Sequence, residues 1–212
     1  MLIQNQVGPV AGQSSIGAGT QVVQRAGQMG DVIVSELQAR YYENTYRRNK
    51  FYGSNGATPS ITTVALATTY TGLCIYNPAG STVNLVLDKV GYSFLVAFAA
   101  AATIGLMVGY APAGIVTAAA AASPGASSFI GLGAAPQGKV ALSATLVGTP
   151  TLHTVFGEGL TGAITTVPEG MQILDLEGSI ILPPGAYAAI YTSTASGAAS
   201  LAASFQWTEV AI

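Results

Sequence analysis

Charged side chains are scarce in this chain of 212 residues. Only 8% of the residues are Asp, Glu, Lys or Arg, against about 25% in an average soluble domain. Because 50% are hydrophobic, a monomer would expose wide uncharged areas, and such areas usually contact a partner. The formal net charge of −2 excludes nucleic-acid binding as a main function, since phosphate recognition needs a basic face. We therefore expect a protein that packs into multimers.

The side chains that carry out most enzymatic chemistry are equally rare. Cys74 is the single cysteine, so no internal disulfide can form, and its apolar strand pattern predicts a buried, unreactive thiol. His153 is the single histidine, and its strand pattern indicates a polar surface residue or a satisfied core residue. The sequence contains no phosphate-binding loop, dinucleotide fingerprint or Cys/His metal spacing. We predict that the chain is not an enzyme and has no catalytic residue, cofactor or bound metal.

Two weaker patterns leave alternatives open. Asp175 and Glu177 alternate with leucines, so both carboxylates could lie on one sheet face and hold a hard cation with Asp88 or Glu158. An ordinary solvent-facing pair near a strand end is the simpler interpretation. Trp207 or tyrosines could also line a sugar-binding groove, although no sequence pattern identifies one.

Residues Phe94 to Ala111 form an uncharged stretch long enough to be a candidate transmembrane helix. Gly105, Gly109 and Pro112 interrupt the stretch, no Lys/Arg cluster flanks it, and its neighbours have the pattern of strands. We therefore predict no membrane span. The first residues, MLIQNQVGPVAGQSS, contain neither a basic region nor a continuous apolar region, so no secretory signal is expected.

Residues 1–30 differ in composition from the rest of the chain. They are rich in Gln, Gly, Ser and Val and contain almost no large apolar side chains. Such a segment cannot bury enough apolar surface to offset its loss of conformational entropy on ordering. We predict an extended N-terminal arm that becomes ordered only on a partner.

Residues 31–56 contain much of the charge of the chain and are predicted to form one helix and a connector. Ser35 and Gln38 have the spacing of a capping box, and the basic residues near Lys50 would suit the negative end of the helix dipole. The pattern predicts a helix from Ser35 to Lys50 that ends near Gly53. This helix is either an ordinary solvated element or an anchor against another subunit.

The anchor interpretation depends on the tyrosines and arginines of this segment, because both residue types are enriched at protein interfaces. The candidate partner-docking residues are Arg40, Tyr41, Tyr42, Tyr46, Arg47, Arg48 and Tyr52.

Residues 57–212 have the pattern of a β domain. From Ile61 onward we count roughly eight to ten short apolar strands bounded by Gly and Pro, with no alternation of strands and helices. The predicted strands include Ile61–Leu66, Thr68–Tyr76, Val83–Tyr92, Phe94–Phe98, Ile104–Tyr110, Lys139–Val147, Thr151–Phe156, Ala163–Val167 and Met171–Leu176. Residues 178–182 and 186–193 are predicted to pair as a hairpin. The fold class is therefore mainly β, an antiparallel β-sandwich of jelly-roll type with an extended N-terminal arm and one short α-helix.

Several segments resemble a family of small, largely uncharacterised structural proteins of tailed-bacteriophage virions. The resemblance covers most of the chain from about residue 30, and its motifs are structural, with no functional residue to carry over. The segments are Val34–Leu37, Tyr41–Glu43, Thr68–Cys74, Asn77–Ser81, Ala99–Leu106, Leu160–Thr166 and Leu176–Tyr187. The resemblance implies a virion component built from a β-sandwich, a homotrimer with a decoration, head-fibre or tail-associated role.

Two functions follow as expectations. In the first, the chain is a capsid decoration, cement or head-fibre protein of the virion, and its arm and helix bind the major capsid protein or another virion protein. In the second, it is a receptor- or glycan-binding module of a tail or fibre, whose loops near residues 111–136 and 192–200 contact a cell surface. A protein inserted in a membrane through residues 94–111 is a third, weaker interpretation.

Overall fold

The structure, a computed structural model, describes residues 40–55, 59–62, 65–96, 98, 100–112, 116–118, 125–159, 172–196 and 201–212. The chain divides into two compact units, Met1–Tyr42 and Glu43–Ile212. Only residues 40–42 of the first unit are described. The arm predicted for residues 1–30, the helix start at Ser35 and the strand predicted at Ala163–Val167 therefore lie outside the described residues.

The described residues form one short helix and eleven strands. The helix α1 spans Tyr42–Tyr46. The strands are β1 (Lys50–Ser54), β2 (Thr69–Tyr76), β3 (Val83–Phe94), β4 (Ala102–Tyr110), β5 (Thr117–Ala118), β6 (Ala126–Ser127), β7 (Lys139–Thr145), β8 (Thr151–Gly159), β9 (Gln172–Leu182), β10 (Ala186–Thr192) and β11 (Leu201–Ala211). The prediction of a mainly β chain is confirmed. The ten strands from β2 to β11 agree with the eight to ten strands expected after Ile61.

The strands form two antiparallel sheets. Sheet 1 has the order β6-β1-β11-β3-β9, and sheet 2 has the order β5-β7-β2-β10-β4-β8. The longest ladder joins β11 to β3, from Leu201 opposite Phe94 to Ala211 opposite Val83. Large apolar side chains from both sheets form one buried cluster, so the two sheets enclose a common core as in a β-sandwich.

The alternation along β11 shows why this strand is central to the core. Phe205 and Trp207 are completely buried, whereas Gln206 between them is only partly buried. In the core, Trp207 lies 6.1 Å from the Phe51 ring of β1, measured between ring centroids. The alternation of apolar and polar residues in this segment therefore corresponds to the pleat of one strand.

The central strands of sheet 2 are buried on both faces. In β10, Ala186, Ala188 and Ile190 belong to the core between the sheets, while Tyr187 and Ala189 belong to a second apolar cluster on the outer face. The second cluster also contains Tyr70, Cys74, Met107, Val116, Ala141, Ala144 and Leu146. Burial of both faces explains why β10 is apolar along its whole length and does not alternate.

Asp88 forms a bulge in the middle of β3. In the ladder with β11, Lys89 and Leu87 are opposite consecutive residues, so Asp88 between them is opposite none. In the ladder with β9, Leu87 and Lys89 again have opposite residues and Asp88 has none. Before the bulge, Leu85 and Leu87 face the core, and after it Val90 and Tyr92 do so. The extra residue therefore changes the phase of the alternation and turns its own side chain away from the core.

The sheet edges are short or irregular. The edge strands β5 and β6 have two residues each. The ladders of the other edge strands, β8 and β9, contain register shifts. Short and bulged edges oppose the addition of a strand from another chain, so contacts between this protein and a partner are expected to use side chains.

The predicted helix is wrong at its end. It was expected to reach Lys50, but α1 ends at Tyr46, Arg48 has a positive φ of 64° and Lys50 begins β1. A left-handed residue ends a helix, and β1 gains backbone pairing with β11 that a continued helix could not make. Sheet 1 thus includes residues from the segment that was assigned to a helix and connector.

Three strand predictions are also wrong. Residues 61–62 and 65–66 are not in a strand, although Ser60 makes an isolated bridge to Leu201. Val83–Tyr92 and Phe94–Phe98 were predicted as two strands, but β3 runs without a break from Val83 to Phe94, and residues 95 and 96 are outside it. Strands β9 and β10 do not form the predicted hairpin: β9 pairs with β3, and β10 pairs with β2 and β4. The Pro183–Gly185 connection crosses between sheets instead.

The second apolar cluster predicts a loss of stability at alkaline pH. Burial raises the pKa of the Cys74 thiol from 9.0 to about 12 and the pKa of the Tyr187 phenol from 10.0 to about 12. Between these values the unfolded chain binds fewer protons than the folded chain, so the free energy of unfolding falls as pH rises. We expect urea unfolding midpoints that are unaffected by these two groups below about pH 9 and fall above it.

A Cys74→Ala variant is the matched control for this pH dependence. Its midpoint should fall less steeply above pH 9 than that of the unchanged chain, because only the tyrosine contribution remains. Equal slopes for the two chains between pH 9 and pH 11 would contradict the assignment to Cys74.

Candidate interaction surface

The predicted docking residues lie in both compact units. Arg40, Tyr41 and Tyr42 belong to the first unit, where the Arg40 guanidinium carbon lies 5.4 Å from the centroid of the Tyr41 ring. Arg40 and Tyr42 are exposed and Tyr41 is partly buried.

The other four predicted residues, Tyr46, Arg47, Arg48 and Tyr52, belong to the second unit and are all exposed. The structure brings two of them together around Phe129. The Tyr46 ring packs edge-on against Phe129 with 6.5 Å between ring centroids, and the Arg48 guanidinium carbon lies 5.9 Å from the Phe129 centroid. Such an aromatic and cationic cluster at a surface is typical of an interface anchor.

The turn that carries Phe129 also presents two apolar side chains. The amide of Leu132 donates to the carbonyl of Phe129 at 3.2 Å, and Gly131 between them has a φ of 84°, the geometry of a type II turn. Ile130 is 77% exposed and Leu132 is 61% exposed. Together with Tyr46, Arg48 and Phe129, these two residues form what we term the Phe129 surface.

The Phe129 surface is held to sheet 1 by backbone contacts. The amide of Ser128 donates to the carbonyl of Lys50 at 2.9 Å, and β6 pairs with β1 immediately before it. Gly133 packs so closely on Ser127 that a Cβ added to Gly133 would lie 1.7 Å from the Ser127 Cβ. The turn is therefore positioned by the sandwich itself.

Sequence reasoning missed Phe129, Ile130 and Leu132. A signal was present, because Phe129, Ile130 and Leu132 are large apolar residues close together within the Ala-, Gly- and Pro-rich loop from 111 to 136. The closeness of this loop to Tyr46 and Arg48 could not be predicted, because it depends on pairing between β1 and β6. Two-residue strands leave no recognisable sequence pattern.

The single cysteine, histidine and tryptophan of the chain all lie in strands. Cys74 is buried, as predicted. His153 is exposed on β8, with its Nδ1 2.6 Å from the Thr154 hydroxyl. Trp207 is buried in the core, so it cannot serve as a platform for a sugar. Among the helices of the described residues, none is long and apolar enough to cross a membrane.

The carboxylates considered for a cation are separated by their partners. Asp88 binds the Lys50 ammonium at 2.6 Å, and an Asp175 oxygen lies 3.8 Å from the Lys89 ammonium. The Glu177 amide donates to Asp175 Oδ1 at 3.1 Å, and Glu177 is exposed. Within the part of the chain that the structure describes, no group of three or more His, Cys, Asp or Glu side chains could hold a metal ion.

A shallow groove of ≈ 410 Å³ lies between the edges of the two sheets. Tyr110, which is 59% exposed, lines it together with His153 and the hydroxyl-bearing Thr151 and Ser179. An aromatic ring with neutral hydrogen-bonding groups could contact an uncharged polar ligand such as a sugar.

Comparison of the chain with protein-family models, with curated proteins and with solved structures returned no match.

The close contact at Gly133 allows a test of the Phe129 surface. We expect Gly133→Ala to lower the free energy of unfolding by about 1–3 kcal/mol, as overpacking usually does, because the new methyl group collides with Ser127. Urea denaturation followed by tryptophan fluorescence would measure this. The matched control is Gly80→Ala, where no atom lies within 4 Å of the added Cβ; an equal effect at both positions would contradict the packing.

Proposed function

We propose that the chain is a structural component of a bacteriophage virion, a capsid decoration or head-fibre protein that docks on the shell through its N-terminal arm and helix. In this proposal the β-sandwich is a jelly roll, the chain is not an enzyme, and its partners are copies of itself and a capsid or other virion protein. The resemblance of its motifs to small phage structural proteins motivates the proposal.

The order of the strands in the two sheets is the observation that carries this proposal. Apart from the peripheral strands β5, β6 and β7, sheet 1 has the order β1-β11-β3-β9 and sheet 2 the order β2-β10-β4-β8. Strands that are consecutive in the chain alternate between the two sheets, except at the step from β4 to β8. This arrangement supports a jelly roll, an architecture found in viral capsid and lectin domains.

The Phe129 surface supports docking near the N-terminal segment. It combines exposed aliphatic, aromatic and arginine side chains next to the residues that connect α1 to β1. Interfaces concentrate their binding energy in aromatic and arginine residues of this kind. Because the sheet edges are short or bulged, side-chain docking is the contact that this sandwich favours.

Docking can be tested with particles assembled without the chain. We expect full-length protein to sediment with them and a variant lacking residues 1–30 to lose most of this binding. Arg47→Glu with Arg48→Glu should weaken binding at least tenfold, whereas Lys139→Glu, which removes the same kind of charge from β7, should not. Undiminished binding by the variant lacking residues 1–30 would contradict docking through the arm.

The groove beside Tyr110 favours one alternative, a receptor- or glycan-binding module of a tail or fibre. If the variant lacking residues 1–30 binds cells or glycans, and Tyr110→Ala abolishes that binding, the alternative replaces the docking proposal. Trp207 cannot contribute to such a site because it is in the core.

The oligomeric state gives an independent prediction. We expect light scattering of the purified full-length chain to give the mass of a closed homotrimer, because a surface with so few charges is suited to contacts between subunits. A monodisperse monomer across the micromolar range would contradict the trimer, and the uncharged surface would then be assigned to the shell contact.

A further inference from the structure

Lys50 and Asp88 form an ion pair that is removed from water. The Lys50 Nζ lies 2.6 Å from Asp88 Oδ2, and the two side chains are only 5% and 9% exposed. The Thr208 hydroxyl donates to the same carboxylate oxygen at 2.8 Å. Burying two charges costs free energy that their attraction often fails to recover, so the pair is not explained by stability alone.

The backbone brings these three residues together from three adjacent strands. Lys50 is opposite Thr208 in the ladder between β1 and β11, and Asp88 lies on β3, beyond β11. Asp88 is also the residue skipped by both neighbouring ladders. Bulges reorient a single side chain, and this one brings a carboxylate across β11 to the ammonium of the first strand.

A primary amine and a carboxylic acid are the two groups that condense to form an amide, and here they are in contact. In water, hydrolysis and ionisation both oppose condensation. In a buried site little water competes, and reactants held in an attacking geometry can reach effective concentrations of about 10⁵–10⁸ M. The Thr208 hydroxyl donates to Oδ2, the oxygen that Nζ contacts, and so stabilises negative charge on that oxygen as its bond to Asp88 Cγ breaks.

We propose that Lys50 and Asp88 condense to an intramolecular isopeptide bond. The ammonium first gives a proton to the carboxylate, and the Nζ lone pair then attacks Asp88 Cγ. The Nζ–Cγ bond forms, the bond from Cγ to Oδ2 breaks, and Oδ2, the oxygen that Nζ contacts, leaves as water with two protons that both come from the Lys50 ammonium. Oδ1 becomes the amide oxygen. No oxidant, reductant or other reactant is consumed.

The bond would join β1 covalently to β3, across the strand β11 that lies between them. Strand β1 has only five residues, and its other neighbour, β6, has two. A pulling force that enters through the residues before Lys50 would therefore separate β1 first. This mechanical role rests on the proposed docking function, whereas formation of the bond does not.

The mass of the chain tests the proposal. We expect purified full-length protein, incubated under native conditions, to be lighter than its sequence by the mass of one water molecule. Trypsin cleaves after Arg48, Lys50 and Lys89 in this region, and the sequence between Lys50 and Lys89 contains no other site. The bond would block cleavage at Lys50, so one internally linked peptide, 49–89, should appear with the same loss.

The outcomes separate the bond from its alternatives. An unchanged mass after long incubation overturns the proposal and leaves an ordinary ion pair. A loss of water with normal cleavage at Lys50 also overturns it, because that result indicates a succinimide at Asp88. Lys50→Arg keeps the positive charge but cannot form the amide, so this variant should keep its full mass. None of these readouts depends on whether the chain binds particles.

Discussion

The pairing of β11 with β3 is the contact on which the rest of the molecule depends. This ladder runs along the whole of β11, and the other edge of β11 pairs with β1. The core face of β11 carries Phe205 and Trp207, and its outer face carries Thr208 beside the Lys50–Asp88 pair. Displacement of this one strand would therefore open the core, the ion pair and the first strand together.

Much of the architecture could be predicted from the sequence because its cause is local. Strands such as β2, β4, β7 and β8 are runs of β-branched and apolar residues bounded by turn residues, and the pattern places them within a few residues. The short helix was predicted in the right region but extended too far. Its end depends on Arg48 and on the pairing of Lys50 with Thr208, a residue near the other end of the chain.

Features that depend on distant contacts could not be predicted. Strands that follow each other closely, such as β9 and β10, have the pattern of a hairpin whether they pair or lie in opposite sheets. Asp88 and Lys50 are separated by 38 positions, and no local sequence pattern indicates that they pair. Phe129 and Ile130 were visible as apolar residues in a small-residue loop, but their position beside Tyr46 follows from the tertiary fold.

The first and last described strands of the second unit, β1 and β11, also show which residues lie at each end of sheet 1. The Glu209 amide donates to the Asn49 carbonyl at 2.8 Å, and the Ile212 amide donates to the Thr82 carbonyl at 3.1 Å. Residues 49, 82 and 212 thus lie at one end of sheet 1, whereas Phe94 and Leu201 meet at the other. A cargo fused after Ile212 would sit beside the segment that leads into β1, and a cargo inserted near Leu95 would be displayed from the far end.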